Sequence, residues 1–81
     1  MEGNDFIVDL IAYVARSLVD KPEEVEVSRS QSDRSVVYEL RVSEQDRGRV
    51  IGKEGQTIQA LRLLIKAAAG SDEKPVLEIP G

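Results

Sequence analysis

Apolar residues recur at helical spacing near the start of the chain, where Ile7, Ile11, Val14 and Leu18 share one stripe of the segment Asp5 to Val19. Asn4 stands where its side chain can cap the first turn, and Pro22 forbids continuation beyond Lys21. Pro22-Glu23-Glu24 reads as a turn. The period then changes to two: Val25 and Val27 alternate with Glu26 and Ser28 in a strand, and the polar stretch Ser30 to Arg34 makes a hairpin loop. From Ser35 to Val42 the residues Val36, Tyr38, Leu40 and Val42 alternate with Val37, Glu39 and Arg41, a strand with one face in the core. Ser43 with Asp46 three residues later resembles a capping box and opens a short helix of about two turns ending near Gly52. Ile58, Leu61, Ile65 and Ala68 return to helical spacing within Gln56 to Ala69, with Gly70 as a left-handed cap. Ser71 to Pro75 is a polar connector, and Val76 to Ile79 is a third strand with Leu77 and Ile79 inward and Pro80 closing it. The order helix, strand, strand, helix, glycine loop, helix, strand predicts an α+β fold of two layers, a three-stranded sheet covered on one face by helices.

Composition narrows what such a fold can do. With 81 residues, 41% hydrophobic and 32% charged, the chain reads as one ordered domain over residues 1–81 with a modest core. It contains no cysteine and no histidine, so disulfides, thiolate or imidazole metal sites and the commonest general base are all excluded. Neither a metal, a cofactor nor an enzymatic activity is expected. The apolar run from Phe6 to Val19 is broken by Asp9 and Arg16 and follows acidic rather than basic residues, which fits neither a leader nor a membrane span and points to the cytoplasm.

The net charge of −4 argues by itself against a nucleic-acid binder. Its distribution argues otherwise. The segment Arg41 to Lys66 carries an excess of basic residues while both flanks are acidic, and within it Arg47, Arg49 and Lys53 occur with no acid between them. The basic ground surrounds one loop, Gly52-Lys53-Glu54-Gly55. Glycine on both sides permits backbone conformations denied to other residues and removes side chains that would hold a polyanion away. The free amides and positive dipole end of the following helix point to the same place, and Lys53 adds a full charge. Arg47 and Arg49 extend the track for a phosphate backbone, and Val50, Ile51, Ile58 and Leu61 offer an apolar wall for bases. A P-loop is a poor match, because Glu54 replaces the required Ser or Thr. Phe6, Tyr13 and Tyr38 are too scattered for a base-stacking platform and read as core or partner contacts. Arg62 and Lys66 read as a solvated helix face.

The run Val50-Ile51-Gly52-Lys53-Glu54-Gly55-Gln56-Thr57-Ile58 resembles the signature of the KH domains, whose glycine loop clamps the backbone of about four nucleotides while a groove reads their bases. The element order is similar to type II of that fold, since too few residues follow Ala69 for the other order. The segment Ser17 to Val25 and the ending Lys66-Ala67-Ala68-Ala69 further resemble the small bacterial KH proteins of the YlqC family, over nearly the whole chain. That resemblance implies a single-stranded-RNA-binding protein with RNA-chaperone activity. It implies a partner, a larger protein called KhpB or Jag with its own KH domain, alongside a possible homodimer. It also implies a place in post-transcriptional control linked to cell length and peptidoglycan homeostasis. The alternative is a protein–protein adaptor of the same fold whose partner makes most RNA contacts. Glu54 sits where a basic or neutral residue suits phosphate better.

Overall fold

A computed structural model describes residues 4–33, 35–70 and 74–80, without the side chains of Asn4 and Asp5. The expected cap by Asn4 and most of the 71–75 connector therefore lie outside the described residues, as does Arg34. Helix α1 spans Asn4–Leu18 and buries Ile7, Ile11 and Ala15, an i, i+4, i+8 row that takes the place of the expected row ending at Leu18. Val14 is half-buried, and Leu18, the last residue of the helix, is exposed although helical spacing keeps it in line with Ile7 and Ile11. Pro22 opens a 3-10 turn, Pro22–Glu24, in which the amides of Glu24 and Val25 donate to the carbonyls of Lys21 and Pro22 at 3.0 and 3.1 Å. Val25 is buried just ahead of the strand rather than inside it.

Strand β1, Glu26–Gln31, runs further than its apolar pattern predicts. Ser30 and Gln31 pair with Val37 and Val36 of strand β2, Val36–Arg41, because ladder hydrogen bonds come from the main chain and need no apolar side chain. The hairpin loop shrinks accordingly, and the amide of Ser32 donates to the carbonyl of Ser35 at 2.9 Å. Along β2 the buried Val36, Tyr38 and Leu40 alternate with the outward Val37, Glu39 and Arg41. Strand β3, Pro75–Glu78, lies parallel to β2 with Tyr38 opposite Leu77, which makes β2 the central strand in the order β1-β2-β3. Pro75 enters the strand itself, tolerable at the start of an edge strand where no ladder bond is lost. Ile79 lies just past the strand, half-buried against the core.

The parallel pair needs a crossover, and two helices supply it. A 3-10 turn, Glu44–Asp46, leads into α2, Arg47–Ile51, and a four-residue turn joins that to α3, Gln56–Ala69. From α3 the residues Ile58, Leu61 and Ile65 enter the core, and the next inward position is Ala69 rather than the expected Ala68, which is exposed. Gly70 follows with φ +89° but ψ 174°, so it is not a left-handed helical cap. Arg62 and Lys66 are both exposed, and Arg62 in addition donates from Nη2 to the Leu77 carbonyl at 3.3 Å. The core is a single cluster to which α1, Val25, β2, Val50, α3 and Leu77 all contribute. This is the two-layer α+β arrangement of a type II KH fold. No helix among the described residues is long and apolar enough to cross a membrane.

Of the three aromatic residues, Phe6 and Tyr13 are 61% and 73% exposed, while Tyr38 is fully enclosed. Among the described residues the buried Tyr38 hydroxyl has no hydrogen-bond partner. A polar atom enclosed without a partner carries a desolvation cost of about 1–3 kcal/mol. Tyr38→Phe should therefore leave the domain as stable or raise its stability by about 1 kcal/mol in urea unfolding, and a clear loss would mean that the hydroxyl is satisfied in solution.

Candidate nucleic-acid interface

A five-residue helix such as α2 has too few internal hydrogen bonds to hold itself, so its direction must come from anchors at its ends. One anchor is Val50, fully buried in the core. The other is Asp46, only 1% exposed at the start of the helix. Its carboxylate accepts from the backbone amides of Asp20 and Lys21, both at 3.1 Å, and from the Ser43 hydroxyl at 2.9 Å. Arg49 Nε stands 3.4 Å away. The capping box expected of Ser43 and Asp46 is thus replaced: Ser43 donates to the Asp46 side chain, and no side-chain cap reaches the helix backbone. Asp46 instead binds the connector that follows α1, a tertiary contact that local sequence spacing does not disclose. The signal available was an acid placed among basic residues.

Burial pushes the Asp46 carboxyl up, but the amide of Asp20, the Ser43 hydroxyl, the amide of Lys21 and the charge of Arg49 together outweigh it and hold the group below the ordinary aspartate range.

At the other end of α2 the Gly52 amide donates to the Gly48 carbonyl at 2.8 Å, and the chain then turns sharply. Gly52 has φ +80° and ψ 170°, a conformation open essentially to glycine alone. A Cβ there would fall on the Thr57 hydroxyl and within 2.8 Å of the Thr57 amide nitrogen. Glu54 adopts left-handed backbone angles of φ 56° and ψ 25°, and Gly55 follows with φ 77° and ψ 14°, closing the turn with a 3.1 Å bond from its amide to the Gly52 carbonyl. No side chain caps the start of α3. The Gln56 amide donates to the Lys53 carbonyl, and the positive end of a 14-residue helix lies behind the amides that follow. Lys53 and Glu54, within the turn, are both exposed, and among the described residues neither side chain forms an ion pair or hydrogen bond.

The remaining expected residues do not all converge on this turn. Arg49 is about half exposed, and its Nη2 reaches Asp20 Oδ2 at 3.1 Å while its Nε faces Asp46, so its guanidinium is turned toward the end of α1. Arg47 is half-buried beside a groove it shares with Val42, Glu44 and Pro80, and its Nε is enclosed without a hydrogen-bond partner among the described residues. Of the apolar wall, Val50, Ile58 and Leu61 are core residues with 0%, 6% and 2% exposure. Only Ile51 offers appreciable surface. The inward faces of α2 and α3 are needed to fill the space above the sheet, which removes three of the four side chains from reach of a ligand.

A glycine-bounded turn between two helices, set in the crossover of a β1-β2-β3 sheet whose β2 and β3 run parallel, defines the class: a KH domain of type II. A family model described as KhpA/KhpB, KH domain, matches residues 8–79. Relatives named RNA-binding protein KhpA include one from Chlamydia caviae, 46% identical over 88% of this chain and 92% of its own. Another from Clostridium perfringens is 45% identical over 85% of this chain and 92% of its own. A third from Treponema pallidum is 47% identical over 88% and 90%. No solved structure matches the chain. The chain belongs to the KhpA/KhpB family of KH domains.

Two outcomes follow from the geometry. Gly55→Ala meets only an ordinary contact with Ile58 and should cost about 1 kcal/mol for its left-handed backbone, whereas Gly52→Ala adds a clash with Thr57 and should destabilise the domain considerably more; urea unfolding yielding the reverse order would contradict the turn described. Because the folded-state pKa of Asp46 is depressed, its contribution is complete above the unfolded value near 4 and fades as pH falls through the lower folded value. The stability gap between the natural protein and Asp46→Asn should accordingly be constant from pH 7 to about 5 and narrow below about 4 in denaturant titrations.

Proposed function

We propose that this protein binds single-stranded RNA without catalysing a reaction, with phosphates seated at Gly52, Lys53, Glu54 and Gly55. The observation that carries the reading is a helix start without a side-chain cap, reached through a turn whose first residue can only be glycine, with the exposed Lys53, unpaired among the described residues, in the same turn. The names of the relatives support RNA as the polyanion. Ile51 is the apolar surface we assign to the bases, with Arg47 and the outer face of Arg49 as flanking cations. Val50, Ile58 and Leu61 act from behind, as the packing that holds Ile51 and the turn in place. We further propose that the protein works in the cytoplasm as an RNA chaperone in post-transcriptional control, paired with a KhpB or Jag-type KH protein or with itself. On the family resemblance we extend that role to cell length and peptidoglycan homeostasis.

A second reading is favoured by one observation. Phe6, Tyr13 and Leu63 are more than half exposed and Leu64 is half exposed, a large amount of apolar surface for a domain of this size. An adaptor that docks a partner through such residues and leaves most RNA contacts to that partner would use the same fold. Tight RNA binding by the isolated protein defeats this reading.

Replacing Lys53 with Asp and Glu54 with Asp together should abolish RNA crosslinking while the circular dichroism spectrum stays unchanged. Filter binding of the natural protein should show a log-log salt slope of about −1.4 to −2.1, as expected for two or three phosphates on a single strand. Undiminished crosslinking in the double variant would remove the loop from the interface.

A further inference from the structure

We propose that Asp46 is a positioning residue for RNA binding: a buried carboxylate that touches no nucleotide aligns α2, and with it the Gly52 turn and the Arg49 guanidinium, against the end of α1. The proposal rests on the assignment of RNA to the Gly52–Gly55 turn. Three observations lead to it. The carboxylate gathers donors from three separate parts of the chain, the Asp20 and Lys21 amides, the Ser43 hydroxyl and Arg49. The helix it anchors is five residues long and ends directly at Gly52, so a tilt at its start is transmitted to the turn with no flexible segment between. The same carboxylate shares Arg49 with Asp20, and thereby sets which direction one cation near the interface faces.

The donor geometry explains why the group must be an acid. Oδ1 accepts from Asp20 N and faces Arg49 Nε, while Oδ2 accepts from Lys21 N and Ser43 Oγ. Both oxygens are acceptors at once, a condition that a carboxylate meets and a carboxamide cannot, because its NH2 would confront a donor. Ser43 and Asp46 are both buried, so water competes little for the bond between them. Asp46→Asn therefore leaves the shape of the side chain while forcing the connector of residues 20 and 21 away from α2.

The test uses the full chain and a fluorescent mixed-sequence single-stranded RNA of about eight nucleotides, long enough to span a KH groove. Affinity is measured below the melting midpoint of every variant. Asp46→Asn should bind about tenfold more weakly while remaining folded, and the amide resonances of Gly52 to Gly55 and the Arg49 Nε resonance should shift. Ile65→Ala, a core truncation in the far half of α3 that lowers the melting midpoint, should leave affinity within about twofold of the natural protein. If Asp46→Asn does not fold, Ser43→Ala removes one of the four donors with the charge retained, and should weaken binding about threefold and shift the same turn resonances. Lys53→Asp in the same assay separates the two ideas. Should it abolish binding while Asp46→Asn, or Ser43→Ala in its place, binds RNA like the natural protein, the positioning role is wrong and the loop assignment survives. Should Lys53→Asp bind normally, both fall. Equal losses of affinity in Asp46→Asn and Ile65→Ala at matched melting midpoints would likewise overturn the proposal, since stability alone would then account for the effect.

Discussion

A negative charge enclosed in a domain of this size must be met by donors from every side, and the fold supplies them to Asp46 from the end of α1, from the turn before α2 and from α2 itself. Without those bonds α2 would have Val50 as its one deep anchor. A single apolar side chain fixes how far a helix lies from a core but leaves it free to pivot. The paired oxygens of a carboxylate, held in a plane by two backbone amides and a hydroxyl, remove that freedom. The placement of the glycine turn thus depends on an acid that lies outside it, in a segment whose formal charge is otherwise basic.

The turn itself combines an attraction and a repulsion. Lys53 and the amides at the start of α3 favour an anion, while Glu54, exposed and in left-handed backbone, places a like charge beside the same position. Arg49 is partly neutralised by Asp20 and Asp46 and adds less positive field than its formal charge suggests. Electrostatics at this surface are therefore finely balanced, in keeping with an overall charge of −4. The form of the turn, by contrast, is tightly set, since a Cβ at Gly52 would strike Thr57.

Much of the architecture can be read from residue order. Helical spacing in α1 and α3, strict alternation in β2 and the punctuation by Pro22, Gly52 and Gly55 each reflect local physics, and they fix the layer arrangement almost without ambiguity. The departures arise where tertiary contacts override local pattern. Val25 is as apolar as a strand residue but ends a 3-10 turn; Ser30 and Gln31 look like loop but are recruited by β2 through the main chain. At the site, the turn is legible because glycine spacing is a backbone requirement written directly into the sequence. The apolar wall is less so: Val50, Ile58 and Leu61 have the same composition whether they face a ligand or the sheet, and only packing decides. Asp46 is the least legible, because its partners at Asp20 and Lys21 are set by the fold and contribute main-chain atoms that carry no residue identity.

The parallel register of β2 and β3 bears on how the domain assembles. The β1–β2 hairpin joins neighbours and can close early, whereas Tyr38 and Leu77 meet only after the entire α2–turn–α3 crossover has been gathered between them. The glycine turn sits at the tip of that crossover. A chain still lacking β3 would therefore carry Gly52 to Gly55 without the complete sheet on which the crossover packs.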